Sequence, residues 1–259
     1  MSSPLPHYLP GGDSPARAAA KEAIWRLSAL AFGHPTAELF EAFASGDFHE
    51  AFDAAWSRVT GRPWRETEPP DSAAALESGF IRAFLHGPKG KPVASLLAGD
   101  YEALLAGHAR PVFMLNIGAF YRHFGLKAAR DDEGRNDEPD HMASMLEFMA
   151  VLAFLEGRAL NDRTDPAPYR RAQRDFLRRY LGPLLEAIAD RLRRSPVPDL
   201  AAVHTELVDA LPRWAEGQAA ELEARVGPYR DPDDPAHNAQ PLGEGMADGK
   251  RIVDQNLWG

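Results

Sequence analysis

The sequence predicts an all-α protein, a single globular bundle of roughly nine or ten helices with an extended C-terminal tail. Three observations predict it. Apolar residues recur at three- and four-residue spacing in segment after segment. No segment alternates polar and apolar positions with Val, Ile and Thr enriched, as a half-buried strand requires. Gly- and Pro-rich stretches separate the periodic runs and stop them.

Residues 1–13 are rich in Pro and Gly and read as a loose arm. Ser14 then caps a helix with Pro15 at its first position, where a missing N–H costs nothing. Its apolar face is Ala20, Ile24, Leu27 and Ala31. Thr36 starts a shorter helix with Leu39, Phe40 and Phe43, and a third covers 48–59 with Phe48, Phe52 and Trp56 on one face. After the linker "GRPWRETEPP", Asp71 caps a helix striped by Leu76, Phe80, Ile81, Phe84 and Leu85. Residues 94–107 and 111–125 read as two further helices, the second ending near Gly125. A polar loop at 127–137 is the weak internal boundary. Met142, Met145, Leu146, Met149, Leu152 and Leu155 then line a long helix to about residue 160, with Asp137 as its N-cap and Glu138, Pro139 and Asp140 in its first turn. Helices at 167–194 and 199–225 complete a domain spanning 14–226. The segment 227–259 reads as a Pro/Gly-rich tail, with Trp258 able to anchor it.

Composition narrows the function. The chain has 259 residues and a net charge of −9, so a nucleic acid is not the expected partner and a basic ligand is. It has no cysteine, which excludes disulfides, thiolate nucleophiles and iron–sulfur clusters. The N-terminus lacks a basic start followed by an apolar core, and no apolar run is long enough to span a bilayer, so the chain reads as cytoplasmic. Ten arginines fall between Arg158 and Arg194, but acids interleave with them, so a solvated helix face is expected.

Six acidic residues fall between Asp131 and Asp140, and His141 follows them. Glu138 and His141 stand three apart, which on a helix would put both on one face and allow a metal. A di-iron bundle needs two such pairs and further glutamates; only one pair here is helical by sequence. No nucleophile elbow, phosphate loop or dinucleotide fingerprint is present. The bland alternative is a capped helix with an acidic first turn. The expectation is therefore no catalytic residue, no metal and no cofactor, with a metal-dependent helical enzyme using Glu138 and His141 as the alternative.

"EPDHMASMLEFMAVL", preceded by "FYRHFGL", resembles the TorD/DmsD/NarJ family of cytoplasmic redox-enzyme maturation chaperones. Tyr121, Phe124, Gly125 and Leu126 match the family's first segment; Glu138, Pro139, Asp140, His141, Leu146, Glu147, Phe148 and Met149 match the second. Upstream, Phe80, Phe84, Leu85, Gly87 and Pro88 match an aromatic segment ending in Gly-Pro. Two departures stand out: Pro139 is followed directly by Asp140, and Ala94 stands where the family can carry an acid. The resemblance implies a TorD/DmsD-like fold and a binding protein, not an enzyme. The expected partner is the apo catalytic subunit of a molybdenum oxidoreductase of the dimethyl-sulfoxide-reductase type. It would be held by its N-terminal twin-arginine leader until cofactor is inserted, with the molybdenum-cofactor biosynthesis machinery as a second partner. A permanent assembly subunit is the remaining alternative. A leader pairs arginines with an apolar helical stretch, so its receptor needs carboxylates beside an apolar groove. Glu138 and Asp140 are expected to contact the arginines. Phe84, Leu85, Tyr121, Phe124 and Met142 are expected to wall the groove, around Pro139, His141 and Gly125.

Overall fold

The computed structural model describes residues 13–87, 90–126 and 138–231. Most of the arm at 1–13, Pro88, the loop at 127–137 with Asp137, and the tail beyond residue 231 with Trp258 lie outside the described residues.

Among the described residues there are nine α-helical segments and no strand. Helices α1 (Pro15–Ala31), α2 (Ala37–Ser45) and α3 (Asp47–Thr60) start where small polar or glycine residues release the chain. The Ser14 and Thr36 side chains accept the Arg17 and Leu39 amides, each satisfying a donor that the first helical turn leaves orphaned. Helix α4 (Ala73–Phe80) runs on into one π turn at Ile81–Leu85, and its cap is Ser72 rather than Asp71. Helices α5 (Arg110–His123) and α6 (Met142–Asn161) follow. Helix α7 (Ala167–Phe176), a second π turn (Leu177–Leu181) and α8 (Gly182–Arg194) run without a break, so the expected helix at 167–194 is one rod with a wide turn inside it. Helix α9 (Ala202–Val226) closes the chain's helical body.

Three expectations are corrected. Residues 94–107 form a strap with two short 3₁₀ turns, 98–100 and 102–105, not a helix. Ala94, Ser95, Leu96 and Ala98 are buried, and Leu97 pairs with His141 as extended chain. Helix α6 begins at Met142, not at Glu138. The Ala98 amide bonds the Asp140 carbonyl and the Met142 amide bonds the Leu96 carbonyl, so an antiparallel bridge at Leu97 and His141 pulls this segment out of the helix. The arginine-rich helix is not simply a solvated face. Arg170 and Arg174 are buried, Arg170 against Glu156 at 2.7 Å and Arg174 against Asp175 at 2.7 Å.

One buried apolar cluster runs from Ala20 in α1 to Leu222 in α9. Helices α1 and α6 make the most extensive pair in it. Gly157 near the end of α6 lies against Ala18 near the start of α1, where a Cβ would stand 3.3 Å from the alanine methyl. The two helices are thus antiparallel. Four tryptophans knit the far side: Trp25 and Trp56 each pack on Trp214, at 5.7 and 5.3 Å between ring centres, and Trp64 packs on Trp56 at 4.8 Å. Charged contacts tie α1 to α9 and α6 to α7. Arg17 and Lys21 share Glu221 at 2.6 and 3.0 Å, and Glu156 holds Arg170 and Gln173.

Candidate functional site

The segment 138–141 is a junction. Backbone bonds from the 94–101 strap fix it on one side, and the Tyr121 hydroxyl donates to the Pro139 carbonyl at 2.7 Å on the other. Asp140 is fully buried. Its Oδ2 accepts the Gly99 amide at 2.8 Å and stands 3.9 Å from the Arg110 guanidinium. Arg110 also reaches Glu138 at 3.2 Å and Asp100 at 3.0 Å, so one cation at the start of α5 gathers three carboxylates. Gly99 is required here: a Cβ on it would meet the Arg110 Nε at 2.7 Å and Asp140 Oδ2 at 2.8 Å. His141 caps α6, its Nδ1 accepting the Ala143 amide at 3.2 Å. Burial, reinforced by the negative charges of Asp140 and Glu147, holds the Tyr121 phenol well above its ordinary range, so it remains a donor.

The expected site residues therefore separate. Glu138, His141 and Leu85 line an open cleft of about 1080 Å³. Asp140 does not: with no exposed surface it braces the junction and cannot meet a client's arginine directly. Met142, Phe84 and Tyr121 are also core rather than groove wall, with exposures of 1%, 2% and 6%. Phe124 is half-buried against Phe148 and Tyr169, and Gly125, at φ +75°, ends α5. Glu138 and His141 do not share a helical face, since Glu138 precedes the helix. Among the described residues no group of three or more His, Asp or Glu is placed to hold a metal ion.

Most of the cleft comes from α1, α2 and α3, which the sequence had not singled out. Leu27 and Leu30 near the end of α1, with Leu39 and Ala42 of α2, supply its accessible apolar lining. Leu30 is 56% exposed. Its signal was present in the sequence: Leu27, Leu30 and Ala31 make the apolar stripe of α1 wider than one buried face needs. Four carboxylates stand around this surface, Glu38, Asp47, Glu138 and Glu147. Hydrogen bonds from its own amide and the Thr36 hydroxyl hold the Glu38 carboxyl below its ordinary range, so it is charged. The described lining residues include no Lys or Arg; their only basic side chains are His34 and His141. The arrangement can hold a ligand that is both apolar and cationic.

Comparison with known proteins decides the family. The model of the nitrate reductase delta subunit family matches residues 30–190, which takes in α2 to α7, the strap and the junction. The chain belongs to this family of redox-enzyme maturation chaperones. It is 51% identical over 95% of both chains to the dimethyl sulfide dehydrogenase assembly chaperone of Rhodovulum sulfidophilum. Over 53% of this chain and 67% of the other it is 36% identical to the selenate reductase assembly chaperone of Thauera selenatis. Over 62% and 73% it is 30% identical to the perchlorate reductase assembly chaperone of Dechloromonas aromatica. No solved structure matches it. A maturation chaperone works by binding rather than by catalysis. Among the described residues no helix is long and apolar enough to cross a membrane.

Proposed function

We propose that the chain holds the N-terminal leader of an unfinished molybdenum oxidoreductase catalytic subunit in the α1–α2–α3 cleft, in the cytoplasm, until cofactor insertion is complete. The observation that carries this is the pairing of an exposed apolar floor with four carboxylates and no Lys or Arg among the described lining. A leader with adjacent arginines and an apolar helical stretch is complementary to it in both respects. Glu138, Glu147, Glu38 and Asp47 supply the charge, while Leu27, Leu30, Leu39 and Leu85 supply the apolar contact. Asp140 and Arg110 hold Glu138 and His141 at the rim. Small-molecule sites run to roughly 1,000 Å³ and are largely enclosed; an open cleft of about 1080 Å³ suits a peptide segment better.

The relationship over 95% of both chains points to a client of the dimethyl sulfide dehydrogenase kind. The test is calorimetric titration with the synthetic leader of such a catalytic subunit, beside a version whose apolar stretch is replaced by serines. The native leader should bind and the serine version should bind at least about tenfold more weakly, the loss of two or so buried apolar side chains. Equal binding of the two, or none by either, would overturn the reading.

A further inference from the structure

The apolar floor of the cleft lies open. Two of the five large apolar side chains exposed among the described residues, Leu30 and Leu85, line it, and an open apolar surface of this kind marks a docking site. The chain itself carries a segment of matching pattern. In residues 250–258, "KRIVDQNLW", Lys250 and Arg251 are adjacent, and no other Lys or Arg follows Arg230. Ile252, Val253, Leu257 and Trp258 come after them. Cations first and apolar residues next is the order of the leader that the cleft is read to hold. Asp248 and Asp254 flank the two cations, so the segment is less cationic than a leader and leans more on its apolar residues.

The segment is long enough to arrive there. The end of α9 lies against the start of α1, where Arg17 pairs with Glu221 at 2.6 Å and Asp13 pairs with Arg225. From Arg17 along α1 to Leu30 in the cleft is about 20 Å, at 1.5 Å of rise per residue. Residues 232–249 separate the last described residue from Lys250, and extended chain of that length spans up to about 60 Å. We propose that residues 250–258 occupy the α1–α2–α3 cleft of their own chain when no client is bound. Lys250 and Arg251 then face the carboxylates, and Ile252, Leu257 and Trp258 cover the floor around Leu30. The tether holds the segment at an effective concentration of about 1 mM, so weak contacts suffice. This rests on the leader-binding reading only for what displaces the tail. A leader whose arginines have no flanking acids is the better match for the carboxylates and takes the cleft over.

The test compares the full chain with the full-length variant Ile252→Ser/Leu257→Ser/Trp258→Ser, which keeps every charge. Amide NMR without any peptide should show the two differing at residues 27–42 and 141–147 and coinciding at 184–192. A synthetic twin-arginine leader should bind the variant about tenfold more tightly, the gain from removing a competitor that alone binds at about 0.1 mM and is tethered at about 1 mM. Coincident cleft amides would overturn the tail's placement, and leader binding would stand if the peptide still binds. Cleft differences that vanish on tenfold dilution of the protein would put the tail in a second copy and overturn the placement within one chain. Differing amides with equal leader affinity would show that tail and leader do not compete, which overturns the shared cleft. A leader that binds neither chain would overturn leader binding alone, since the amides still decide where the tail lies.

Discussion

Arg110 and Asp140 show how a motif can matter without touching the ligand. Asp140 lies wholly inside, and its Oδ2 accepts the Gly99 amide and faces Arg110. Replacing it with asparagine keeps the volume but removes the charge facing Arg110 and strengthening the Gly99 bond. We expect Asp140→Asn to lower stability by about 1–3 kcal/mol, read as a fall in denaturation midpoint at unchanged denaturant slope. Glu138→Gln, at the half-exposed end of the same cluster, should leave that midpoint nearly unchanged. The sequence displayed Glu138 and Asp140 as an equivalent acidic pair. Only Gly99 from the strap and Arg110 from the start of α5 separate their roles, and that separation depends on contacts no local pattern encodes. A second residue-scale expectation concerns His204. Its ring is buried among Phe32, Phe43, Phe80 and Phe84, and its Nε2 donates to the Ala31 carbonyl at 2.8 Å. Burial brings its pKa down to about 4. The unfolded chain therefore binds this proton first as pH falls. His204's share of stability, on the order of 3 kcal/mol, is present above about pH 6.5 and is lost as pH drops toward 4. Acid unfolding should show this loss, and His204→Gln, which keeps an N–H donor, should flatten it between those two pH values.

Helices α1, α3, α5, α6 and α9 were legible because their apolar residues repeat at helical spacing, although α6 was expected to start four residues before Met142. Ser14, Thr36 and the Phe48–Phe52–Trp56 stack are placed as the spacing requires, the rings 5.7 and 5.9 Å apart. The strap at 94–107 was misread because Leu96, Leu97, Leu104 and Leu105 mimic a helical stripe, while tertiary hydrogen bonds to 140 and 142 hold the first part extended. The two π turns were also invisible, since a single extra residue per turn leaves the apolar spacing almost intact. The second of them explains Gly182. Its amide bonds the Leu177 carbonyl, five residues back, and a Cβ on Gly182 would stand 2.7 Å from that oxygen. Gly182→Ala should therefore cost about 1–3 kcal/mol, although alanine ordinarily favours a helix over glycine. Chemical denaturation checks it, and a stabilised variant would show that the π turn is not held as described.

For the whole molecule, the cleft lies where α2 and α3 meet the end of α1 and the start of α6. Composition gave its sign, because a chain of net charge −9 favours a cationic ligand. The motif gave one rim, Glu138 and His141. Of the apolar floor, only the wide stripe of α1 around Leu27 and Leu30 was legible; Leu39 and Ala42 are indistinguishable in sequence from ordinary core residues until their neighbours are known. The central claim is that carboxylates beside this floor recognise a cationic, apolar leader. It is tested most directly by titrating a synthetic twin-arginine leader into the wild-type chain and into the variant Glu38→Gln/Asp47→Asn/Glu138→Gln/Glu147→Gln at several salt concentrations. The account predicts binding to the wild type that weakens as salt rises, and for the variant an affinity about thirtyfold lower, four exposed charge contacts at roughly 0.5 kcal/mol each, with little remaining salt dependence. Equal affinity and an equal salt response in the two proteins would contradict it.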